Sequence, residues 1–78
     1  MKILFFAQAA DAARTREYTC PLERAHADAL WEQLLAVFPD LAPLRPSIRL
    51  ARNGRYAAEG EEFRGGDEVA LIPPVSGG

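Results

Sequence analysis

Residues 68–78 read Glu68-Val69-Ala70-Leu71-Ile72-Pro73-Pro74-Val75-Ser76-Gly77-Gly78. The apolar run Val69–Ile72 has the composition of a closing β-strand. Two prolines follow directly, and a proline has no N–H to give to a sheet ladder, so the strand stops at Ile72. Each proline also fixes φ, which makes the exit stiff and extended where a glycine-serine linker would be loose. The chain then reaches Gly77-Gly78, which carries no Cβ to obstruct a narrow channel and presents a free α-carboxylate. The reading is a domain over residues 1–72 and an extended tail over 73–78, with the terminal carboxylate open to an enzyme that activates it.

Working outward, the 78 residues are enough for one domain close to the lower size limit for a core without staples. The chain is 49% hydrophobic and 26% charged, a globular composition. Net charge is −2 with arginines and acids interspersed, which gives no footprint for nucleic acid or an anionic membrane surface. Cys20 is the one cysteine, so a disulfide framework and a cysteine-rich metal site are excluded, and Cys20 reads as a small buried hydrophobe. No apolar run approaches about 18 residues and no signal-peptide pattern opens the chain. The expectation is a soluble cytoplasmic protein.

Lys2–Phe6 is β-branched and aromatic and predicts the first strand. Ala7–Arg16 lacks a clean apolar face and reads as the loop of a hairpin to a second strand, Glu17–Cys20, which Pro21 ends. From His26 to Phe38, Ala27, Leu30, Leu34, Val37 and Phe38 recur at helical spacing, with Leu41 one turn beyond, and Pro39 stops the helix. Trp31 falls at the rim of that apolar stripe, half-buried. Leu41–Pro46 reads as loop. Ile48–Arg52 alternates with Ile48 and Leu50 inward; Asn53-Gly54 is a strong hairpin signal, and Arg55–Ala58 a brief return strand. Glu59–Gly66 is a polar loop with Phe63 tucked beneath it. One amphipathic helix across one face of a mixed sheet, with apolar first and last strands parallel at its centre, is an α+β fold of the ubiquitin-like β-grasp type.

A single helix covers one face, so strand parity indicates what the other face carries. Lys2 points to solvent and puts Leu4 and Phe6 on its own side; Glu68 does the same for Ala70 and Ile72. Phe6 and Ile72, with Leu4 and Tyr56, would form an apolar partner-binding patch beside the exit of the tail. Elsewhere chemistry is sparse. His26 has no neighbouring ligand type, so no metal site is expected. Glu59, Glu61 and Glu62 read as a solvated loop able to meet an arginine-bearing partner. Asp67-Glu68 reads as turn chemistry, and Arg45, Arg49, Arg52, Arg55 and Arg64 as a rim of weak exposed pairs. No nucleophile–base set appears, so the chain is not expected to be a catalyst by itself.

Phe5-Phe6-Ala7-Gln8, Gly66-Asp67-Glu68-Val69-Ala70 and Pro73-Pro74-Val75-Ser76-Gly77-Gly78 together resemble the small subunit of molybdopterin synthase, the MoaD-like family of ubiquitin-like sulfur carriers. The likeness spans essentially the whole chain in length and element order. It implies that a ubiquitin-activating-type adenylyltransferase uses ATP to adenylate the Gly78 carboxylate, and that a sulfur donor enzyme then leaves a thiocarboxylate there. It further implies that Pro73, Pro74, Val75, Ser76 and Gly77 enter the large synthase subunit, in a heterotetramer, where the sulfur passes to a cyclic pyranopterin to build the dithiolene. No cofactor is held permanently in such a carrier, and residues equivalent to Phe6 and Ile72 lie on its partner-binding face. Two features depart from the pattern: Arg52, where the family often has an apolar residue, and the alanine- and arginine-rich Ala7–Arg16 stretch. Alternatives are a carrier for another pathway, such as thiazole synthesis, and a ubiquitin-like modifier or docking module.

Overall fold

The computed structural model describes residues 1–74. Along them run β1 (Lys2–Phe5), α1 (Ala7–Ala13), β2 (Glu17–Thr19), β3 (Arg24–Ala25), α2 (Ala27–Val37), a 3-10 helix (Pro39–Ser47), β4 (Arg49–Arg52), β5 (Arg55–Tyr56), β6 (Phe63–Arg64) and β7 (Glu68–Ile72). The main sheet has the order β2-β1-β7-β4-β5. β1 and β7 are parallel at its centre, Lys2 opposite Glu68 through Phe5 opposite Leu71. The other pairings, β1 with β2 and β7 with β4, and β4 with β5, are antiparallel. This is the mixed β-grasp sheet that the sequence predicts.

The register assigns the two faces. Ile3, Val69, Phe5 and Leu71 point inward and are fully or nearly fully buried. On them lies α2, through Leu30 and Leu34, with Leu41 of the 3-10 helix beside them. Phe38 meets Phe5 and Tyr18 edge-on, each at a centroid separation of 5.1 Å, the arrangement that aromatic quadrupoles favour. Cys20 is buried as expected. The amide of Cys20 donates to the carbonyl of Met1, and the amino group of Met1 donates to the carbonyl of Cys20 at 2.9 Å.

Several sequence expectations are corrected. Ala7–Ala13, read as loop, is a helix. Alanine has the best intrinsic helix propensity, and Ala9 and Ala13, four residues apart, pack into the core; their small side chains let the backbone approach closely but give almost no amphipathic signal. Strand one consequently ends at Phe5 and Phe6 becomes the cap of α1. The stretch around Pro43 and Pro46 is 3-10 helix, whose φ of about −50 to −70° matches the value proline imposes. Val37 and Ala27 are exposed, off the buried stripe. Trp31 is buried, its ring enclosed and covered by the Arg45 guanidinium 5.5 Å from its centroid. Phe63 is buried as expected, but on a second two-stranded sheet in which it pairs with Ala25.

Asn53-Gly54 turns with φ of +50° and +87°, the double left-handed geometry of a two-residue hairpin. That hairpin is tied to the start of β7 by Asp67. The Asp67 carboxylate accepts from Arg52 Nε at 2.6 Å, from the Arg64 amide at 2.8 Å and from Asn53 Nδ2 at 3.0 Å. Arg52 reaches Glu61 as well, at 3.1 Å. Asp67 and Arg52 are therefore a structural pair, and Glu61 and Glu62, the latter bonded to Arg64, are satisfied within the chain. The Arg52 guanidinium above all, with the Arg64 amide, holds the Asp67 carboxyl down to about 2 from its ordinary 3.8.

Two predictions follow from this architecture. Phe5→Ala should cost about 3–5 kcal/mol in denaturant unfolding, whereas Phe6→Ala, one residue along on the open face, should cost less than about 1 kcal/mol; similar losses would contradict the facing. Asp67→Asn should cost about 2 kcal/mol at pH 7 through its weakened charge-assisted bonds. Because the folded carboxyl titrates lower than the unfolded one, that difference is complete above the ordinary 3.8 and shrinks as pH falls toward about 2. Urea midpoints of both proteins at three pH values check it, and a gap independent of pH would refute it.

Candidate functional site

Position follows from how β1 and β7 end. Both run in the same direction and finish at the same edge of the domain. After β1 the chain turns sharply: Phe6 is extended, at φ −122° and ψ 150°, and Ala7 takes φ +48°. A left-handed backbone at a residue with a Cβ costs roughly 1–2 kcal/mol. The turn starts α1, with the amides of Ala9 and Ala10 donating to the Phe6 carbonyl, and leaves the Phe6 ring 47% exposed. β7 instead continues straight into Pro73, which is buried, and Pro74, which is exposed.

Between these two exits lies an open groove of about 590 Å³ lined by Phe6, Ala7, Gln8, Asp11, Ile72, Pro73 and Pro74. Phe6 and Ile72 are thus brought together where the tail departs. Leu4 and Ile72 are both part-exposed and share the open face. Tyr56 shares it too, 55% exposed, but at the far side: the row across the sheet runs Glu17, Leu4, Ala70, Ala51, Tyr56. Adjacent strands are about 4.8 Å apart, which puts Tyr56 three strands, roughly 14 Å, from Leu4. Val75, Ser76, Gly77 and Gly78 lie outside the described residues.

Arg49 links the separated members. It is the cross-strand partner of Ile72, and its guanidinium sits 3.9 Å from the centroid of the Tyr56 ring, a cation–π contact that orients both groups. Parity alone could have placed Arg49 on this face. Gln8 and Asp11 were missed because α1 itself was missed. Ala51 and Ala70 form a shallow floor between the larger side chains. His26 is exposed at the start of α2, away from the groove. Among the described residues no group of three or more His, Cys, Asp or Glu could hold a metal ion, and no helix is long and apolar enough to cross a membrane. What the site offers is an apolar, arginine-flanked surface beside the point where β7 leaves the domain.

The ThiS family profile matches residues 3–78. The chain is 37% identical to the molybdopterin synthase sulfur carrier subunit of Chlamydomonas reinhardtii, over 100% of this chain and 98% of that protein. It is 33% identical to the human protein of the same description, over 100% and 93%. The crystal structure of SAMP1 from Haloferax volcanii superposes with a TM-score of 0.81 at 32% identity, covering 99% of this chain and 97% of that one. The chain belongs to the ThiS family, and the relatives it matches over its whole length include molybdopterin synthase sulfur carrier subunits.

Proposed function

We propose that this protein is the sulfur carrier and small subunit of a molybdopterin synthase. The observation that carries the reading is the full-length identity to molybdopterin synthase sulfur carrier subunits. The groove beside the stiff exit supports it, because such a carrier must be held by its body while its end is inside another protein.

The chemistry takes place on Gly78. A carboxylate is a poor acyl donor to a sulfur nucleophile until one oxygen becomes a good leaving group. Its oxygen attacks the α-phosphorus of ATP on the adenylyltransferase, pyrophosphate leaves, and a mixed anhydride with AMP forms. The terminal sulfur of a donor persulfide then attacks the acyl carbon and expels AMP. A second thiol takes the donor sulfur into a disulfide and releases the thiocarboxylate. In the large subunit this sulfur attacks the cyclic pyranopterin, and two such deliveries build the dithiolene. ATP and thiols place these steps in the cytoplasm.

The chain's own residues supply delivery. Gly77 and Gly78 pass a channel that a Cβ would obstruct. Pro73 and Pro74 are already restrained, which lowers the ordering cost of insertion, about 1–2 kcal/mol for each free backbone residue fixed. Val75 and Ser76 span the distance between body and reacting end. Phe6 and Ile72, with Leu4, bury apolar area against the large subunit, and Arg49 on Tyr56 offers a guanidinium to a partner carboxylate at the rim. A second reading, a modifier that forms isopeptide bonds through Gly78, draws on the likeness to SAMP1; lysine-linked conjugates in cell extract would favour it.

Reconstitution with a large subunit, an activating enzyme, ATP and a sulfide source is the test. Deleting Gly78 should abolish dithiolene formation and leave the circular dichroism spectrum unchanged; retained activity would overturn the proposal. Ile72→Asp should raise the Kd for the large subunit roughly 30-fold, the loss of one hot-spot contact of about 2 kcal/mol, while the C-terminal mass gain of sulfur for oxygen persists with sulfide in excess.

A further inference from the structure

The chain contains eight arginines and a single lysine, Lys2. A protein that carries an activated acyl group is at risk from amines, because a neutral primary amine attacks the same acyl carbon that sulfur attacks. Arginine is always protonated and is no such nucleophile, whereas lysine is the residue that acyl groups modify. The remaining amine of the described chain is the α-amino group of Met1. It is buried with its residue and donates to the Cys20 carbonyl at 2.9 Å. The Cys20 thiol, which could form a thioester, is buried.

Lys2 is itself poorly placed. It stands opposite Glu68 at the start of β7, and its Nζ lies 3.5 Å from the Glu17 carboxylate. From Glu68 the strand runs away from it, six residues to Pro74, about 20 Å at some 3.3 Å per residue. The four residues after Pro74 span at most about 14 Å, so even with the length of the Lys2 side chain added the tail would meet its own Lys2 only by doubling back fully extended, and acylation between copies is the unstrained route.

Resting on the sulfur-carrier reading above, we propose that this chain is built to be a poor acceptor of its own activated C terminus, with Lys2 the single amine at which self-acylation can occur. In that reaction the neutral Nζ of Lys2 on one copy attacks the Gly78 acyl-adenylate of another. AMP leaves, an isopeptide bond forms, and the amine proton passes to solvent. Few acceptors mean that the acyl-adenylate survives until sulfur arrives.

The experiment activates three proteins with a competent adenylyltransferase and ATP, without a sulfur donor, following pyrophosphate release and the intact and peptide masses. The wild type should give only trace covalent dimer, all of it joined at Lys2. Lys2→Arg should remove that dimer while pyrophosphate release is unchanged. A variant carrying Arg16→Lys, Arg24→Lys and Arg55→Lys, all exposed positions, should give roughly fourfold more conjugate, in proportion to acceptors added, with its fold checked by circular dichroism. Dimer persisting in Lys2→Arg, wild type conjugating as fully as the lysine-enriched variant, or activated wild type giving no Lys2 conjugate would each overturn the inference. Absent pyrophosphate release would overturn the carrier reading itself, and this inference with it.

Discussion

Parallel pairing of the first strand with the last is the constraint from which the rest of this structure derives. Sequence separation makes it costly to form, since nearly the whole chain must be closed into a loop before the pair exists. What offsets that cost is burial: Ile3, Phe5, Val69 and Leu71 all lie in the core. Once the two strands are side by side and co-directional, they end at one edge. One then turns back through Ala7 into α1, and the other goes on through Pro73 and Pro74. Phe6 and Ile72 become neighbours, although 66 positions of sequence separate them, by virtue of that ladder.

The second consequence concerns supply of cover. α2 and the 3-10 helix, with α1 beside them, occupy one face of the sheet. Nothing in the described chain covers the other. That face is kept tractable by small residues, Ala51 and Ala70, at its centre and by ionic groups at its ends: Lys2 with Glu17 on one side and Arg49 over Tyr56 on the other. The apolar content is concentrated at the exit edge, in Phe6 and Ile72. A uniformly apolar face would be an aggregation surface, whereas here the apolar patch is confined to the point where β7 leaves the domain.

Much of this is legible in the sequence itself. Lys2–Phe5 and Glu68–Ile72 announce themselves by β-branched and aromatic content, Asn53-Gly54 by a turn chemistry with few alternatives, and α2 by the spacing of Leu30, Leu34 and Phe38. Parity then placed Leu4, Phe6 and Ile72 on the open face. The misses share a physical cause. Alanine carries helix propensity without an amphipathic signature, so α1 looked like a loop, and Gln8 and Asp11 were lost with it. The β3–β6 ladder is two residues long, too short for any period to show. Val37 fits the helical repeat but lies on its solvent side, because the stripe of α2 turns toward Trp31. Arg52 reads from the sequence as one of a rim of weak exposed pairs because its partner, Asp67, is 15 residues away; only the fold makes the two adjacent.

The distribution of rigidity along β7 connects stability to use. At its start, Asp67 gathers Arg52, Asn53 and the Arg64 amide around one carboxylate, and the Lys2 amide donates to the Asp67 carbonyl at 2.9 Å. That end is fixed by charge-assisted bonds in a partly buried setting, where such bonds are strongest. At the other end the strand is held by ladder bonds and by the burial of Leu71 and Pro73, with no ion pair among the described residues beyond Ile72. Because the two ends are about 17 Å apart along five residues, protonating or pairing groups at one does not reach the other through water-screened Coulomb forces. The polar network therefore stabilises the body without tethering the exit. On the sulfur-carrier reading proposed above, an exit held by its own stiffness, not by contacts with the body, breaks nothing when a partner takes it. Two consecutive prolines provide that stiffness locally, and the fold spends its strong electrostatic contacts where no partner has to displace them.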